Sequence, residues 1–342
     1  MNIEVKIGNK KIGEDHPTYI IAEIGSNHDR NFNIAKKLID IAADAGADAV
    51  KFQSFKAEKL FSKKTPKIST YKKEPFELLK SLEMPREWHK KLSDYTINKN
   101  LHFLSSPFDY EAVDELDKVG VPAFKIGSCE ITDLDLLAYI AKKKKTIILS
   151  TGMATLGDIE EALETIKSKG NKNIILLHCN TLYPTPPKIV NLNAIKTLST
   201  AFKFPVGFSD HTLGIHISIA AVAKGANLIE KHFTIKRRPE PDHFFSIEPK
   251  ELKTMIKNIR EIELAFGSGE KVRSREEDEN YIKGRRSIIA ARDIPEGKVI
   301  ERKDLIIKRP GMGIHPKYIN IVIGRRAKKK IYYDDWITWD KI

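Results

Sequence analysis

The sequence predicts an α/β protein: a TIM (β/α)8 barrel over residues 1–266, followed by a small β-rich domain. Three observations predict it. Eight times between Thr18 and Phe266 a short β-branched run is followed by an amphipathic stretch of helix length, the pattern of consecutive βα units and a parallel sheet. Eight such units in about 250 residues is the size of a closed barrel. The composition then changes abruptly, residues 267–284 (GSGEKVRSREEDENYIKG) being polar, glycine-containing and highly charged, as a linker is.

Taken in order, the runs end at IIAE (Glu23), AVKFQ (Gln53), HFLSS (Ser106), AFKIGS (Ser128), TIILS (Ser150), ILLHCN (Asn180), PVGFS (Ser209) and NLIEKH (His232). Nearly every run ends in a residue able to do chemistry, and a barrel carries its active site at the carboxyl ends of its strands. The first helical stretch, residues 31–46, places Ile34, Leu38, Ile41 and Ala45 at helical spacing and stops at Gly46, a C-cap residue. Similar stretches run over 85–99, 109–120, 133–143, 155–170, 192–202, 213–225 and 249–266. A doubly wound open sheet shows the same alternation, but eight units close a barrel more naturally than they extend a sheet. No GxGxxG follows the first strand, which argues against a dinucleotide site. Residues 285–342 alternate short strands with turns at 293–297 and 310–313, a module with little core of its own that is expected to gain stability by docking.

Composition narrows the function classes. The chain has 342 residues, is 41% hydrophobic and has no apolar run long enough to span a bilayer. Its first residues carry charges where a signal peptide needs an apolar stretch, so a cytoplasmic protein is expected. Cys129 and Cys179 are the only cysteines, and their spacing fits neither a zinc site nor a disulfide framework. A formal charge of +13 raises the question of nucleic acid, with lysine runs at 142–145 and 328–330. Without interleaved aromatics or a binding module these runs read as solvated surface, and a basic chain equally suits an anionic metabolite. No nucleic-acid or membrane partner is expected.

The strand ends specify a doubly anionic ligand. Lys51 and Lys125, with Ser106, Ser128, Ser150 and Ser209, converge on the barrel axis as the donors that a phosphate and a carboxylate together require. Each serine alone reads more readily as a turn or cap residue; the lysines do not, because an unpaired buried charge is costly. His211 and His232 end neighbouring strands, so their imidazoles can share one cation of the Mn2+, Co2+, Fe2+ or Zn2+ kind, with Asp210 as a candidate orienting group. His178 reads as structural or phosphate-adjacent. Glu23 and Glu130 are candidate acids, bases or hydroxyl-binding groups, and Asp242, in the loop after the eighth run, can grip a polyol.

The motifs AEIGSNH (22–28), AGADAVKFQ (45–53), SSPFD (105–109), FKIGSCE (124–130), ILSTGM (148–153), LLHCNTLYPTP (176–186), GFSDHT (207–212), EKHFT (230–234) and KRPGMGI (308–314) resemble those of sialic acid synthases. The likeness covers essentially the whole chain, including a C-terminal segment similar to the family's antifreeze-like (SAF) domain. It implies a phosphoenolpyruvate-condensing transferase acting on an N-acylated sugar, the wider group holding N-acetylneuraminate, legionaminate and pseudaminate synthases. It further implies that Lys51, Ser106, Lys125, Ser128, Ser150 and Ser209 bind phosphoenolpyruvate, and that His211 and His232 hold a divalent metal, Mn2+ or Mg2+ with Co2+ as a further candidate. Glu23, Gln53, Glu130, Tyr183, Asp242 and Arg309 would face the sugar or position water, in a homodimer whose C-terminal modules are swapped. Where the family often has threonine then asparagine, this chain has Asn180 then Thr181, leaving either to supply the phosphate contact. AEIGSNH differs from the AELSANH of pseudaminate synthases and points away from that product. Two alternatives stay open at this stage: a class I aldolase using a barrel lysine as a Schiff base, and a non-enzymatic carbohydrate-binding protein.

Overall fold

Eight parallel strands form the centre of the first unit. The computed structural model describes residues 4–66, 74–239 and 242–342, and the chain divides into two units, Met1–Phe266 and Gly267–Ile342. Ahead of the barrel lies an antiparallel hairpin, β1 (Val5–Ile7) and β2 (Lys10–Ile12), which the sequence reading did not anticipate. The barrel strands are β3 (Tyr19–Gly25), β4 (Ala49–Ser54), β5 (His102–Pro107), β6 (Ala123–Ile126), β7 (Thr146–Ser150), β8 (Ile174–Cys179), β9 (Val206–Asp210) and β10 (Leu228–His232). Their hydrogen-bonded order is β5-β4-β3-β10-β9-β8-β7-β6, and β5 and β6, the two ends of that order, lie side by side. This is the TIM-like arrangement, not the open sheet.

Side-chain parity builds the interior. Along each strand alternate residues face the axis, and near the amino ends these are Tyr19 and Ile21, Ala49, Leu104, Ala123, Ile148, Ile175 and Leu228, all buried. Val5, Ile7 and Ile12 of the hairpin pack against this layer, so the hairpin plugs the lower mouth of the barrel. One level up, the same parity delivers Glu23, Lys51, Ser106, Lys125, Ser150, Ser209 and Glu230, also buried. The interior thus changes from apolar to charged within two residues of chain.

The helices follow their capping signals. Asn31, Asp109, Asp133 and Thr155 each accept a backbone N–H at a helix start, and Gly46 and Gly120 end helices in the left-handed region. The first helix, Phe32–Ala45, buries Ala35, Leu38, Ile39, Ala42 and Ala45. Ile34 and Ile41 are only half-buried, so the core face is turned by one residue from the one expected. Two short helices, Ala57–Leu60 and Pro75–Leu82, occupy the long connection after β4, where the sequence reading placed none. Part of the lysine run is neutralised, Lys143 by Asp114 at 2.6 Å and Lys145 by Asp117 at 2.8 Å. No helix among the described residues is long and apolar enough to cross a membrane.

In the second unit, 267–284 is exposed as expected of a linker but carries a short helix, Asp278–Gly284. The module beyond it pairs β11 (Ser287–Ala290) with β12 (Leu305–Lys308). It encloses a core of its own that includes Ile288, Ile294, Ile300, Ile331 and Ile337, more than the sequence suggested.

Gly207, an inward-facing residue of β9, shows how tightly the barrel is filled. A Cβ there would stand 2.5 Å from the Leu228 carbonyl oxygen and 2.7 Å from Leu177 Cδ2, closer than packed atoms allow. Gly207→Ala is therefore expected to lower unfolding stability by roughly 1–3 kcal/mol, measured as a lower urea midpoint at unchanged m-value.

Candidate active site

Lys51 organises the carboxyl end of the barrel. Strand register sets Glu23 beside Lys51, Gln53 beside Ser106, Ser209 beside Glu230, and His232 beside Glu23. The Lys51 ammonium lies 2.8 Å from Glu23 and 3.7 Å from Glu230, and donates to Ser106 Oγ at 3.3 Å. Lys125 approaches Glu230 at 3.5 Å, and Ser209 donates to the same carboxylate at 3.2 Å. Two cations and two carboxylates thus share a buried interior in which neither sign is left alone.

This arrangement divides the carboxylates. Burial raises Glu23, and neighbouring Glu230 adds to that against the opposing Lys51, leaving it at about 7. Glu230 is subject to the same burial, yet Lys125 and Lys51 together hold it below its ordinary value. Glu23 can therefore exchange a proton near neutrality while Glu230 stays ionised. Burial likewise raises Glu130 to about 7 and Asp242 to about 6.

Above these groups opens a chamber of about 420 Å3 lined by Glu23, Lys51, Lys125, Glu230 and both histidines. One wall carries the serines. Ser128 Oγ accepts the Gly152 N–H at 3.0 Å, while Ser150 Oγ and Thr181 Oγ1 are buried without a hydrogen-bond partner. Buried hydroxyls are normally satisfied, so this wall beside two lysines is built for an anion. Of the two residues left open at 180 and 181, Thr181 lines the chamber. Asn180 is not among the lining residues, and its amide donates to the Ile189 carbonyl at 3.1 Å.

The histidines face each other with ring centroids 5.5 Å apart. His211 donates from Nδ1 to the Asn180 carbonyl at 2.9 Å, which leaves Nε2 as the lone-pair nitrogen. His232 has a buried Nδ1 with no hydrogen-bond partner, 3.9 Å from Asp242, and burial together with His211 and Lys51 keeps the ring neutral. Against its burial, Cys179 and the Asn180 carbonyl push His211 above its ordinary value, so a divalent cation shared by the two inward-turned imidazoles would take the place of a proton on His211. No group of three or more His, Cys, Asp or Glu able to hold a metal occurs among the described residues, so water or substrate would complete any coordination.

Asp210 does not orient the histidines directly. Its carboxylate is taken up by the Thr212 N–H at 2.8 Å, by Ser218 at 2.5 Å and by Lys231 at 2.9 Å. Lys231, buried on the outward side of β10, also donates to the Thr212 carbonyl at 2.5 Å. This pair ties β9 to β10 immediately before each histidine. His178 is structural, pointing outward to bond the Val190 carbonyl at 2.6 Å. Glu230 was missed by the sequence reading, although it lies two residues before His232 and parity alone puts both on the axis.

A second chamber adjoins the first, also about 420 Å3, and shares Gln53, Tyr183 and His232 with it. Asp242 lines this outer space; of the loop that carries it, residues 240 and 241 lie outside the described residues. Gly25 makes the junction, its φ of +51° turning the chain at the end of β3 so that Glu23, Asp242 and His232 surround its open side within 3.4 Å of where a Cβ would stand. Arg309 belongs to the second unit.

Comparison with known proteins matches this arrangement to a family. Residues 38–271 match the NeuB family and residues 285–342 the SAF domain. The chain belongs to the NeuB family. It is 48% identical to N,N'-diacetyllegionaminic acid synthase of Campylobacter jejuni, over 94% of this chain and 98% of the relative. It is 34% identical to N-acetylneuraminate-9-phosphate synthase of Homo sapiens, over 95% and 93%. Among solved structures, N-acetylneuraminic acid synthetase of Leptospira borgpetersenii, bound to citrate, superposes with a TM-score of 0.75 at 38% identity, covering 82% of this chain and 95% of that one. This NeuB chain is accordingly an enzyme, not a binding module.

The buried carboxylates of the NeuB barrel leave a signature in stability. Folded Glu130 holds its proton to about pH 7, whereas its ordinary value is 4.5. The folded state thus binds more protons than the unfolded chain between these values, and stability falls as pH rises through them. Glu130→Gln removes that dependence. The variant is expected to gain up to about 3 kcal/mol over wild type at pH 8, with the gain vanishing at pH 4, as measured by urea unfolding at the two pH values.

Proposed function

We propose that the protein condenses phosphoenolpyruvate with the open-chain form of an N-acylated hexosamine, giving a nonulosonic acid and inorganic phosphate. The observation that carries this reading is the chamber itself: two lysines, unpartnered hydroxyls and a pair of facing histidines around one space. Lys51, Lys125, Ser106, Ser128, Ser150, Ser209 and Thr181 hold the phosphate and carboxylate of phosphoenolpyruvate, which sets its C3 against the sugar aldehyde. His211 and His232 would hold a divalent ion, Mn2+ or Mg2+ as the resemblance implies, which when bound would polarise the aldehyde oxygen. Attack by C3 forms the new carbon–carbon bond, and the aldehyde oxygen takes the proton of Glu23, which titrates near 7 beside Lys51. Glu23, now ionised, accepts a proton from the water that adds to C2. The C2–O bond to phosphorus then breaks, its electron pair and the proton of the C2 hydroxyl leave with phosphate, and C2 becomes the ketone. Glu130, at the Cys129 side of the chamber, and Tyr183, Gln53 and Asp242, toward the outer space, position the sugar.

Phosphate release is expected to need phosphoenolpyruvate, an N-acyl hexosamine and a divalent ion together, stopping after chelation and returning with added Mn2+. Oxygen-18 in the bridging position of phosphoenolpyruvate should appear in phosphate; label retained in the sugar acid would overturn C–O cleavage. Lys125→Arg keeps the charge but loses the compact ammonium and should raise the KM for phosphoenolpyruvate at least about tenfold. Borohydride trapping of a pyruvate adduct on either lysine would favour the aldolase instead.

The same reading extends to Arg309 of the SAF domain, which reaches the sugar of the partner's barrel in a homodimer. Arg309→Ala and His232→Ala, each nearly inactive alone, should then complement in mixed dimers, restoring one intact site. No recovery in a sample shown to contain mixed dimers excludes the exchange.

A further inference from the structure

Outside the chamber, between the strands and the helices, lies a buried chain of polar groups that the mechanism does not use. Ser54 and Ser105 are outward-facing residues of β4 and β5, and their hydroxyls meet at 2.7 Å. Ser54 Oγ also meets Nε2 of His89, on the helix Trp88–Asn98, at 2.7 Å. Glu115, on the helix Tyr110–Val119, stands 3.2 Å from His89 Nδ1. Ser54 and His89 are each 2% exposed and Ser105 is 0% exposed. Serine, histidine and carboxylate in this order resemble a hydrolase triad, but Ser54 lines neither chamber and has no substrate to attack. Burial, with Arg86 adding to it, lowers His89 to about 4, so the ring is neutral. The Glu115 carboxylate favours the proton on Nδ1, which leaves Nε2 to accept from Ser54 while Ser54 accepts from Ser105.

This chain stands where the backbone ladder is weakest. β5 lies at one end of the hydrogen-bonded strand order, so among the described residues β4 is the one strand it pairs with in a ladder. At the last rung Ser54 faces Pro107, which has no N–H to give. The Ser54 carbonyl is reached instead by the Phe108 N–H, at a long 3.4 Å. The Ser54–Ser105 bond supplies what the backbone lacks there. On the inward side of the same strand ends are Gln53 and Ser106, paired in register. Gln53 donates to Glu23 at 3.3 Å, and Ser106 accepts from Lys51 at 3.3 Å. The segment that brings His89 also brings Arg86, which meets Asp109, just past β5, at 2.5 Å.

Resting on the synthase reading, we propose that His89 and Ser54 are positioning residues for phosphoenolpyruvate. Through Ser105 they fix the carboxyl ends of β4 and β5, and with them the placement of Lys51 and Ser106 in the chamber. Neither residue touches the ligand. A binding group displaced by a fraction of an ångström loses much of its worth, so the effect is read in affinity.

The test measures phosphoenolpyruvate binding to the full chain by calorimetry, with the melting temperature of each variant alongside. Ser54→Ala and His89→Leu are each expected to raise the Kd about tenfold. The double variant should bind no more weakly than the weaker single one, because both substitutions break one chain. His89→Gln can still present an acceptor to Ser54 and is expected to bind within about twofold of wild type, although its melting temperature falls along with that of His89→Leu. Equal weakening in His89→Gln and His89→Leu, or additive effects in the double variant, means general destabilisation and overturns the positioning role. Unchanged binding in Ser54→Ala overturns it too, and that variant decides the question should either His89 substitution fail to fold. These outcomes leave the synthase reading intact. A wild-type chain that does not bind phosphoenolpyruvate overturns the synthase reading and the positioning role with it.

Discussion

Everything at the carboxyl end of the barrel depends on the contact between Lys51 and Glu23, both buried and 2.8 Å apart. An isolated ammonium or carboxylate at that depth would be driven to its neutral form. Together, with Glu230 and Lys125 closing the set, Lys51 stays protonated, Glu230 stays ionised and Glu23 titrates near 7. Loss of one partner from a buried set of this kind is far more damaging than its net contribution suggests, because it strands the others. The set can stay ordered because the layer beneath it is wholly apolar and closed by the β1–β2 hairpin, which keeps water from entering at the other end.

The same four groups make the site ready for a polyanion. With the two lysines balanced by Glu23 and Glu230, the empty interior is close to neutral. An arriving phosphate and carboxylate compete for the lysines, and the anion brought near Glu23 reinforces the protonated form of a group already titrating near 7. Glu230, flanked by both lysines, remains charged. Behind this, the Lys231–Asp210 pair fixes β9 to β10 from outside the barrel, so the two imidazoles meet through backbone register rather than through a carboxylate on either ring.

Much of this was legible in the sequence because strands repeat every two residues. The eight run endings located the chamber, and Lys51, Ser106, Lys125, Ser128, Ser150, Ser209, His211 and His232 all line it. What escaped notice did so for identifiable reasons. Glu230 precedes the last residue of its run by two and was hidden by attention to strand ends, although the alternation that puts His232 on the axis puts Glu230 there too. Asp210 shares the opposite parity with Lys231, so its neighbourhood to His211 in sequence is separation in space. Asn180 and Thr181 differ in the same way. The helix Pro75–Leu82 has eight residues, too short for periodicity to separate from a polar loop.

The division between strands and connections also separates chemistry from choice. The groups proposed to hold the anion and exchange protons sit on the barrel strands or at their carboxyl ends, where hydrogen-bonded register limits displacement, as catalytic geometry demands. Groups facing the outer chamber, Tyr183, Asp242 and the leucines of Pro75–Leu82, are carried on the connections after β8, β10 and β4. Connections tolerate insertion and replacement with little effect on the core. A barrel organised in this way can keep one reaction on its strands while the connections vary, because the two chambers meet at a limited junction formed by Gln53, Phe61, Cys129, Thr181, Tyr183 and His232.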